Sequence, residues 1–357
     1  MELKVIKSGM LTSIQDLGRW GYQSSGVPVA GAMDIAALRM GNAMLDNDEN
    51  AAALEVTIVG PELEVHGEGL VVFAGAELGF SVNGENVGSW NVKAVSEGDI
   101  LSFCPPSGGK GCRGCLCVGG GVDVPLVMGS RSTYMRAKIG GYEGRKLFAG
   151  DTLKIGKYAS SWRLIDGFAL GADLRPNYSS DLPLYILPGL QQDAFTEAGL
   201  ETFFSAEYIL SNESDRMGCR FEGPVVEHGN VGADIVSDAI PLGAVQIPGH
   251  GMPIAMLADR QTTGGYTKIG VLTPGSIQRL VQKLPGDKVH FARATSEEAI
   301  NELRDISGIV QRIKQRRLDY VSKKSQTRQD QVDMGNTFKR LIITVDGKSY
   351  NVTCEEI

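Results

Sequence analysis

The sequence contains no run approaching the ~18–20 apolar residues that cross a bilayer. Its first nine residues carry Glu2, Lys4 and Lys7 and no apolar core, so no secretory signal is expected. Positive charge is not in excess. Lys plus Arg number 35 against 42 Asp plus Glu, a net charge of −7, which argues against a general nucleic-acid binder. Six cysteines in 357 residues do not make a disulfide scaffold, so a cytoplasmic chain with reduced thiols is expected. The histidines are His66, His228, His250 and His290, and no H-E-x-x-H pairs them. No G-x-S-x-G elbow occurs. Ser107-Gly108-Gly109-Lys110-Gly111 puts Gly where a phosphate-binding loop needs Ser or Thr after the Lys. If ATP is used, this chain offers no P-loop for it.

What is abundant is glycine: 46 residues, about 13% against a usual ~7%. Such a chain turns often, and most of it reads as short strands. Phe80 to Val87 holds Asn83-Gly84 between alternating segments, a two-residue hairpin signal, and Asp346-Gly347 repeats it near the C-terminus. Gly98-Asp99, Gly150-Asp151 and Gly286-Asp287 each precede a strand-like stretch and read as turn entries. Helical pattern is sparse. One helix is expected from an Asp34 N-cap to about Leu45, another over roughly Asp193 to Phe204. Gly60-Pro61-Glu62-Leu63-Glu64 is echoed by Gly223-Pro224-Val225-Val226-Glu227, which suggests two related β domains joined by a linker between Ser160 and Ser180. From Ser296 the composition turns to Glu, Arg, Lys and Ile with a helical period broken at Gly308, then a polar stretch, then a hairpin pattern from Thr337. The expected organisation is a mainly β chain: β domains over 1–160 and 178–295, a charged helical linker over 296–335 and a hairpin over 336–357.

Cys112, Cys115 and Cys117 form C-x-x-C-x-C. A structural zinc needs four ligands, and no second Cys/His pair stands at metal spacing. Cys115 and Cys117 are two apart in a strand, so both face one side and pack as small apolar residues. No metal is expected. Two other segments are dense in polar groups bounded by Gly: Gln15 to Pro28, and Asp259 to Tyr266 after the apolar stretch Ile254 to Ala258. The second supplies a carboxylate, an amide, two hydroxyls and a phenol within eight residues, enough to surround a planar polar ligand. Read as an ordinary glycine-rich turn, it would carry solvated polars only.

These segments carry a resemblance. Gln15-Asp16-Leu17-Gly18-Arg19, Gly26-Val27-Pro28 with Gly31-Ala32-Met33-Asp34, Leu54-Glu55-Val56-Thr57, Gly129-Ser130-Arg131-Ser132-Thr133, Ser214-Asp215-Arg216-Met217-Gly218 and Asp259-Arg260-Gln261-Thr262-Thr263-Gly264-Gly265-Tyr266 occur in that order. Over roughly residues 1 to 295 the chain resembles the family that holds the 5-oxoprolinase C subunit, allophanate hydrolase subunit 2 and the carboxyltransferase domain of urea carboxylase. The resemblance implies two tandem cyclophilin-like β-barrels and a partner. That partner is a homologue of the family's B subunit, as a separate chain or a lost fusion partner, with an A subunit homologue as a further one. The resemblance implies either ATP-driven opening of the lactam of 5-oxoproline to glutamate, or transfer of CO₂ from carboxybiotin to a urea-like or amide acceptor. A third possibility is a non-enzymatic antagonist that binds a regulator similar to the B subunit. Phe338 to Glu356 also resembles the first hairpin of a biotinyl carrier domain, without the biotin-accepting Met-Lys-Met, so any biotin is not attached to this chain.

Both chemistries act on a planar amide or urea-like group, which needs paired donors and acceptors and N–H groups aimed at a developing oxyanion. Asp259 is the candidate base or acceptor. Gln261, Thr262, Gly264 and Gly265 are candidate donors, and Tyr266 is a donor or cover. Arg216 and Arg131 are candidates to hold a carboxylate. Gln246 and His250 are further substrate-binding candidates. Gln15, Asp16 and Arg19 are expected to organise the glycine-rich loop rather than do chemistry.

Overall fold

The computed structural model describes residues 1–104, 111–158, 162–178, 182–335, 338–345 and 348–355, with side chains up to residue 326. Ser107 to Lys110 and the Asp346-Gly347 turn lie outside the described residues.

The turn chemistry works as read. Asn83 and Gly84 both take positive φ, 52° and 78°, as a two-residue turn between paired strands requires. They join Phe80–Val82 to Glu85–Asn86, with Val82 opposite Glu85. Each Gly-Asp pair opens a strand: Ile100–Phe103, Thr152–Lys154 and Lys288–Arg293. The helix Ile35–Met44 is capped by Asp34, whose carboxylate accepts from the Ala37 amide at 2.9 Å. The second expected helix is shorter: Thr196 caps Glu197–Ser205, and Gln192–Ala194 before it forms a separate 3₁₀ turn.

The first half is two antiparallel sheets packed face to face. One runs in the order Thr152–Lys154, Glu2–Lys7, Glu62–His66, Ile100–Phe103, Phe80–Val82, Glu85–Asn86. The other runs Leu11–Gln15, Ala53–Thr57, Arg113–Val118, Gly69–Gly75, Lys93–Val95. Inward residues of both, among them Leu3, Val5, Ile14, Leu63, Phe73, Phe80 and Leu116, make one core. The second half is a closed seven-stranded barrel. Its order is Leu184–Pro188, Lys268–Leu272, Ala244–Gln246, Ile254–Met256, Gly218–Glu222, Glu207–Leu210, Lys288–Arg293, and a parallel pairing of Leu184 with Phe291 closes it. So the β class holds, but the halves differ: among the described residues hydrogen bonding closes only the second into a barrel. The Gly-Pro echo also dissolves. Gly60-Pro61 leads into the strand Glu62–His66, whereas Gly223-Pro224 follows the strand Gly218–Glu222. A shared turn dipeptide marks chain reversal, not equivalent position.

Two further expectations are corrected. The stretch between the halves is not a free linker: Ile165, Phe168, Leu170 and Leu174 are buried. What covers them is the tail. It is one α-helix, Ser296–Gly335, 40 residues long and unbroken at Gly308. A missing Cβ costs only about 1 kcal/mol in a helix, and packing outweighs it. Val310 and Ile313 are fully buried beside Leu38, Met40 and Met44 of the Ile35–Met44 helix, each burial contributing about 1.5–3 kcal/mol. Arg317 is buried between them and the first half. It donates to the Ala43 carbonyl and, at 2.5 Å, to Asp46. Lys314 pairs with Glu49 at 2.6 Å. The charged run therefore includes the contacts that dock the helix. Phe338–Val345 and Lys348–Glu355 form the expected terminal hairpin. Among the described residues no helix is long and apolar enough to cross a membrane.

Candidate active site

Two polar constellations converge where the halves meet, and they differ in character. The first is ionic and buried. Ala53–Thr57 is a strand buried along its whole length, so Glu55 carries a carboxylate into the interior. Ser214 to Gly218 is the turn between two barrel strands, and it aims Arg216 at that carboxylate across the boundary between the halves. Arg216 Nε and Nη2 hold Asp259 bidentately at 3.1 and 3.0 Å, its Nη1 donates to Glu55, and its Nη2 also donates to the Gly31 carbonyl at 2.6 Å. Glu55 accepts in turn from the Met33 amide at 2.6 Å. Burial would lower the Arg216 pKa, but Glu55 and Asp259 outweigh it, and the guanidinium is held charged. Asp259 moves the other way. Its own burial raises its pKa against the pull of Arg216, and Glu55, which claims the same cation, adds to the rise.

A web next to it fixes the Gln15 to Arg19 segment. Asp16 accepts from Gly18 N, Ser130 Oγ, Ser132 Oγ and Arg131 N at 2.5–2.8 Å. Arg19 is buried and donates to the Val127 and Ser132 carbonyls at 2.9 and 2.8 Å. These residues organise a loop, as their composition suggests.

The second constellation is an open cleft of about 340 Å³ on the barrel, lined among others by Gln246, His250, Gln261, Tyr266, Met217 and, from the first half, Arg136. Gln246 ends a buried barrel strand and is 2% exposed. Its Nε2 is buried and has no hydrogen-bond partner. A buried amide donor left unmade costs ~1–3 kcal/mol, so this atom is a marker for a ligand acceptor. Gly264 makes room for it. A Cβ there would stand 2.7 Å from Ile240 Cδ1 and 3.0 Å from Gln246 Nε2. Tyr266 is 43% exposed and brings a phenol to the same cleft. His250 Nδ1 accepts from the Met252 amide at 3.1 Å, which leaves Nε2 to carry the proton in the neutral ring. Arg136 and Asp215 face each other at 3.7 Å across the rim. The arrangement is a set of mostly neutral donors around a concave space, suited to a carbonyl oxygen on which charge develops.

Of the residues proposed from sequence, Gln246, His250, Gln261 and Tyr266 therefore share one cleft. Asp259 does not line it, because its carboxylate is turned inward to Arg216. Arg216 is spent on the same pair and has no face left for a substrate carboxylate. Arg131 sits elsewhere, with Nε on the Val124 carbonyl at 3.0 Å and Asp123 at 3.9 Å. Thr262 lines a neighbouring groove. Thr263–Tyr266 is a strand rather than a loop. It pairs with Asp234–Ala239, Gly264 opposite Asp238, in an arm that stands out from the barrel with Val236 93% exposed. Gly264 and Gly265 thus clear space within an extended strand instead of forming a donor loop. Sequence reasoning missed Glu55. The available signal was a carboxylate between the apolar residues Leu54 and Val56 of the strand Ala53–Thr57. Asp215 stood within the Ser214 to Gly218 motif without being singled out, and Arg136 carried no signal, being an ordinary surface charge until the halves meet. Among the described residues no group of three or more His, Cys, Asp or Glu is placed to hold a metal ion. Cys115 and Cys117 are buried in the strand Arg113–Val118, packed against the Ile35–Met44 helix.

A two-sheet unit and a closed barrel, joined through a buried Arg216–Glu55–Asp259 knot with a donor-lined cleft beside it, define the class to which the chain is assigned. It belongs to the carboxyltransferase domain, subdomain A and B, family, whose model matches residues 25–293. The match takes in both the knot and the cleft, and leaves the long helix and the terminal hairpin outside. The chain is 36% identical over 308 residues to the 5-oxoprolinase C subunit of Escherichia coli, covering 85% of this chain and 94% of that protein. It is 36% identical to the same-named protein of Haemophilus influenzae, over 80% of this chain and 89% of that one. The crystal structure of the K. lactis urea amidolyase superposes with a TM-score of 0.80 at 28% identity, covering 87% of this chain but 20% of that one.

Proposed function

We propose that this chain is the C subunit of an ATP-dependent 5-oxoprolinase-type complex that opens the lactam of 5-oxoproline to glutamate together with its A and B partners. The observation that carries the reading is the pairing of 36% identity across nearly the whole of a 5-oxoprolinase C subunit with a cleft that presents the unpartnered Gln246 amide. In this reading Gln246, Gln261 and Tyr266 receive the lactam carbonyl. Its oxygen gains negative charge as the ring opens, and donors already fixed in place stabilise that charge without reorganising. His250 Nε2 stands at the same cleft as a proton carrier. Asp259 and Arg216 are positioning residues: they hold the barrel turn against the first half and so set where Gln261 begins. ATP is assigned to the partners, because the sequence has no phosphate-binding loop. The two halves, about 1–160 and 178–295, act as one side of a catalytic cleft that the B partner completes, each with a cyclophilin-like ancestry.

The test is reconstitution. Purified chain mixed with its A and B homologues should hydrolyse ATP only when 5-oxoproline is present, and the chain alone should hydrolyse none. Turnover by A and B without this chain, or by this chain alone, would refute the assignment.

A second reading is favoured by the fold match to urea amidolyase together with the terminal hairpin. In it the same donors hold the ureido oxygen of carboxybiotin, a group of the same planar shape, during carboxyl transfer to an amide or urea-like acceptor. The residues present fit such a ring, and biotin would supply the carboxyl carrier. Carboxylation of a urea-like acceptor by a biotinylated carrier protein, with no response to 5-oxoproline, would select this reading over the first.

A further inference from the structure

A groove of about 520 Å³ lies on the other side of Gln261 from the donor-lined cleft. Its walls are mainly apolar: Trp20, Pro28 and Val29 from the first half, Pro241 and Leu242 from the barrel. At its base is Arg260, 6% exposed. Arg260 Nε donates to the Ile240 carbonyl at 2.9 Å and Nη1 to the Leu257 carbonyl at 3.1 Å. No carboxylate among the described residues pairs with it, and Nη2 donates to nothing there. Burial alone pushes its pKa down, to about 10, with no neighbouring anion to oppose it. Arg216, which binds the adjacent Asp259, makes the contrast direct, since two carboxylates hold it. A buried guanidinium without a counter-charge is costly and marks a place where an anion completes the site. Trp20 is 56% exposed and offers an indole at the same opening. Apolar walls exclude a heavily hydrated anion such as free phosphate and suit a carboxylate carried on an apolar or planar body.

We propose that this groove is a binding subsite for a small apolar monocarboxylate, its carboxylate on Arg260 and its body against Trp20, Pro28, Val29 and Leu242. The subsite is separate from the proposed lactam cleft, and it stands whichever chemistry that cleft performs.

Phenylacetate and its neutral counterpart phenylacetamide share one body and differ in charge, so they make the probe pair. Titrated into the full chain, phenylacetate should change Trp20 fluorescence, a change absent in Trp20→Phe, and should bind at least about tenfold more tightly than phenylacetamide, as a charge-assisted hydrogen bond allows. Arg260→Met keeps the aliphatic stem and should remove that preference. Ala239→Glu, at the exposed lip of the groove, places a carboxylate beside Arg260 and should block phenylacetate without disturbing the fold. It decides the matter even where Arg260→Met fails to fold. Equal binding of acid and amide, binding that survives in folded Arg260→Met or in Ala239→Glu, or no binding of phenylacetate to the native chain at millimolar concentration overturns the proposal.

Discussion

The knot around Arg216 and the cleft around Gln246 are both buried or partly buried polar regions of the same barrel, within a few residues of each other in sequence at 259–261. In the knot every nitrogen of Arg216 has an acceptor and each carboxylate has a donor. In the cleft an equally buried amide nitrogen has none. The difference teaches how to separate scaffold from site. A polar group whose partners are all within the chain holds the chain together, whereas an unpaired one beside an open cleft is where a ligand can supply the partner. By charge alone Asp259 and Arg216 look the more chemical of the two sets. Satisfaction of hydrogen bonds ranks them the other way.

The sharpest way to break the comparison is Arg216→Met. It leaves Glu55 and Asp259 buried together without a cation, and removing one partner of a buried pair typically costs ~3–5 kcal/mol. Urea unfolding of the full chain should show a loss of that order. A loss under about 1 kcal/mol would mean that the knot is not structural.

Gln246→Leu is the converse test. The change removes a donor with no partner inside the chain and replaces it by an apolar group of similar size, so thermal unfolding should move little. Turnover of the reconstituted complex should fall by ~10²-fold, the usual effect of losing one oxyanion donor. Normal turnover, or lost stability with normal turnover per folded molecule, would place Gln246 with the scaffold.

The smallest effect is a pH dependence carried by Asp259. The folded pKa of Asp259 is raised by burial. The stability it contributes is therefore fully present below the ordinary carboxyl range and is lost as pH rises through the raised folded value. Asp259→Asn cannot ionise, so its stability should change less with pH over that interval than the native chain's. Parallel pH profiles of denaturant midpoint for native and variant would contradict the direction assigned to Asp259.

Much of the architecture was legible because it rests on local rules. Asn83-Gly84 needs two positive φ values in succession, and few other pairs adopt them cheaply. Asp34 caps a helix through a bond to a residue three places on. Cys115 and Cys117 share a face because strand side chains alternate. The site was half legible. The density of polar groups from Asp259 to Tyr266 marked the right stretch, but which of them faces the cleft depends on a strand pairing with Asp234–Ala239 that no local pattern announces. The long helix shows the same limit. Gly308 and the run of charges predict a broken, charged linker, whereas Val310, Ile313 and Arg317 lie on one face of an unbroken helix and meet a surface far away in the chain.

By itself, then, the sequence determined that the chain is mainly β, where its turns fall, where its first helix starts, that it carries no phosphate-binding loop, and which family its ordered motifs resemble. These depend on backbone conformations and residue identities within a few positions of each other. Only the tertiary structure decided that the first half is two sheets and the second a closed barrel, and that Asp259 turns to Arg216 and Glu55. It alone left Gln246 Nε2 without a hydrogen-bond partner and Arg260 without a carboxylate among the described residues. Those outcomes depend on which groups arrive beside one another from positions as far apart as 55, 216 and 259, and on the hydrogen bonds still unmade once they have met.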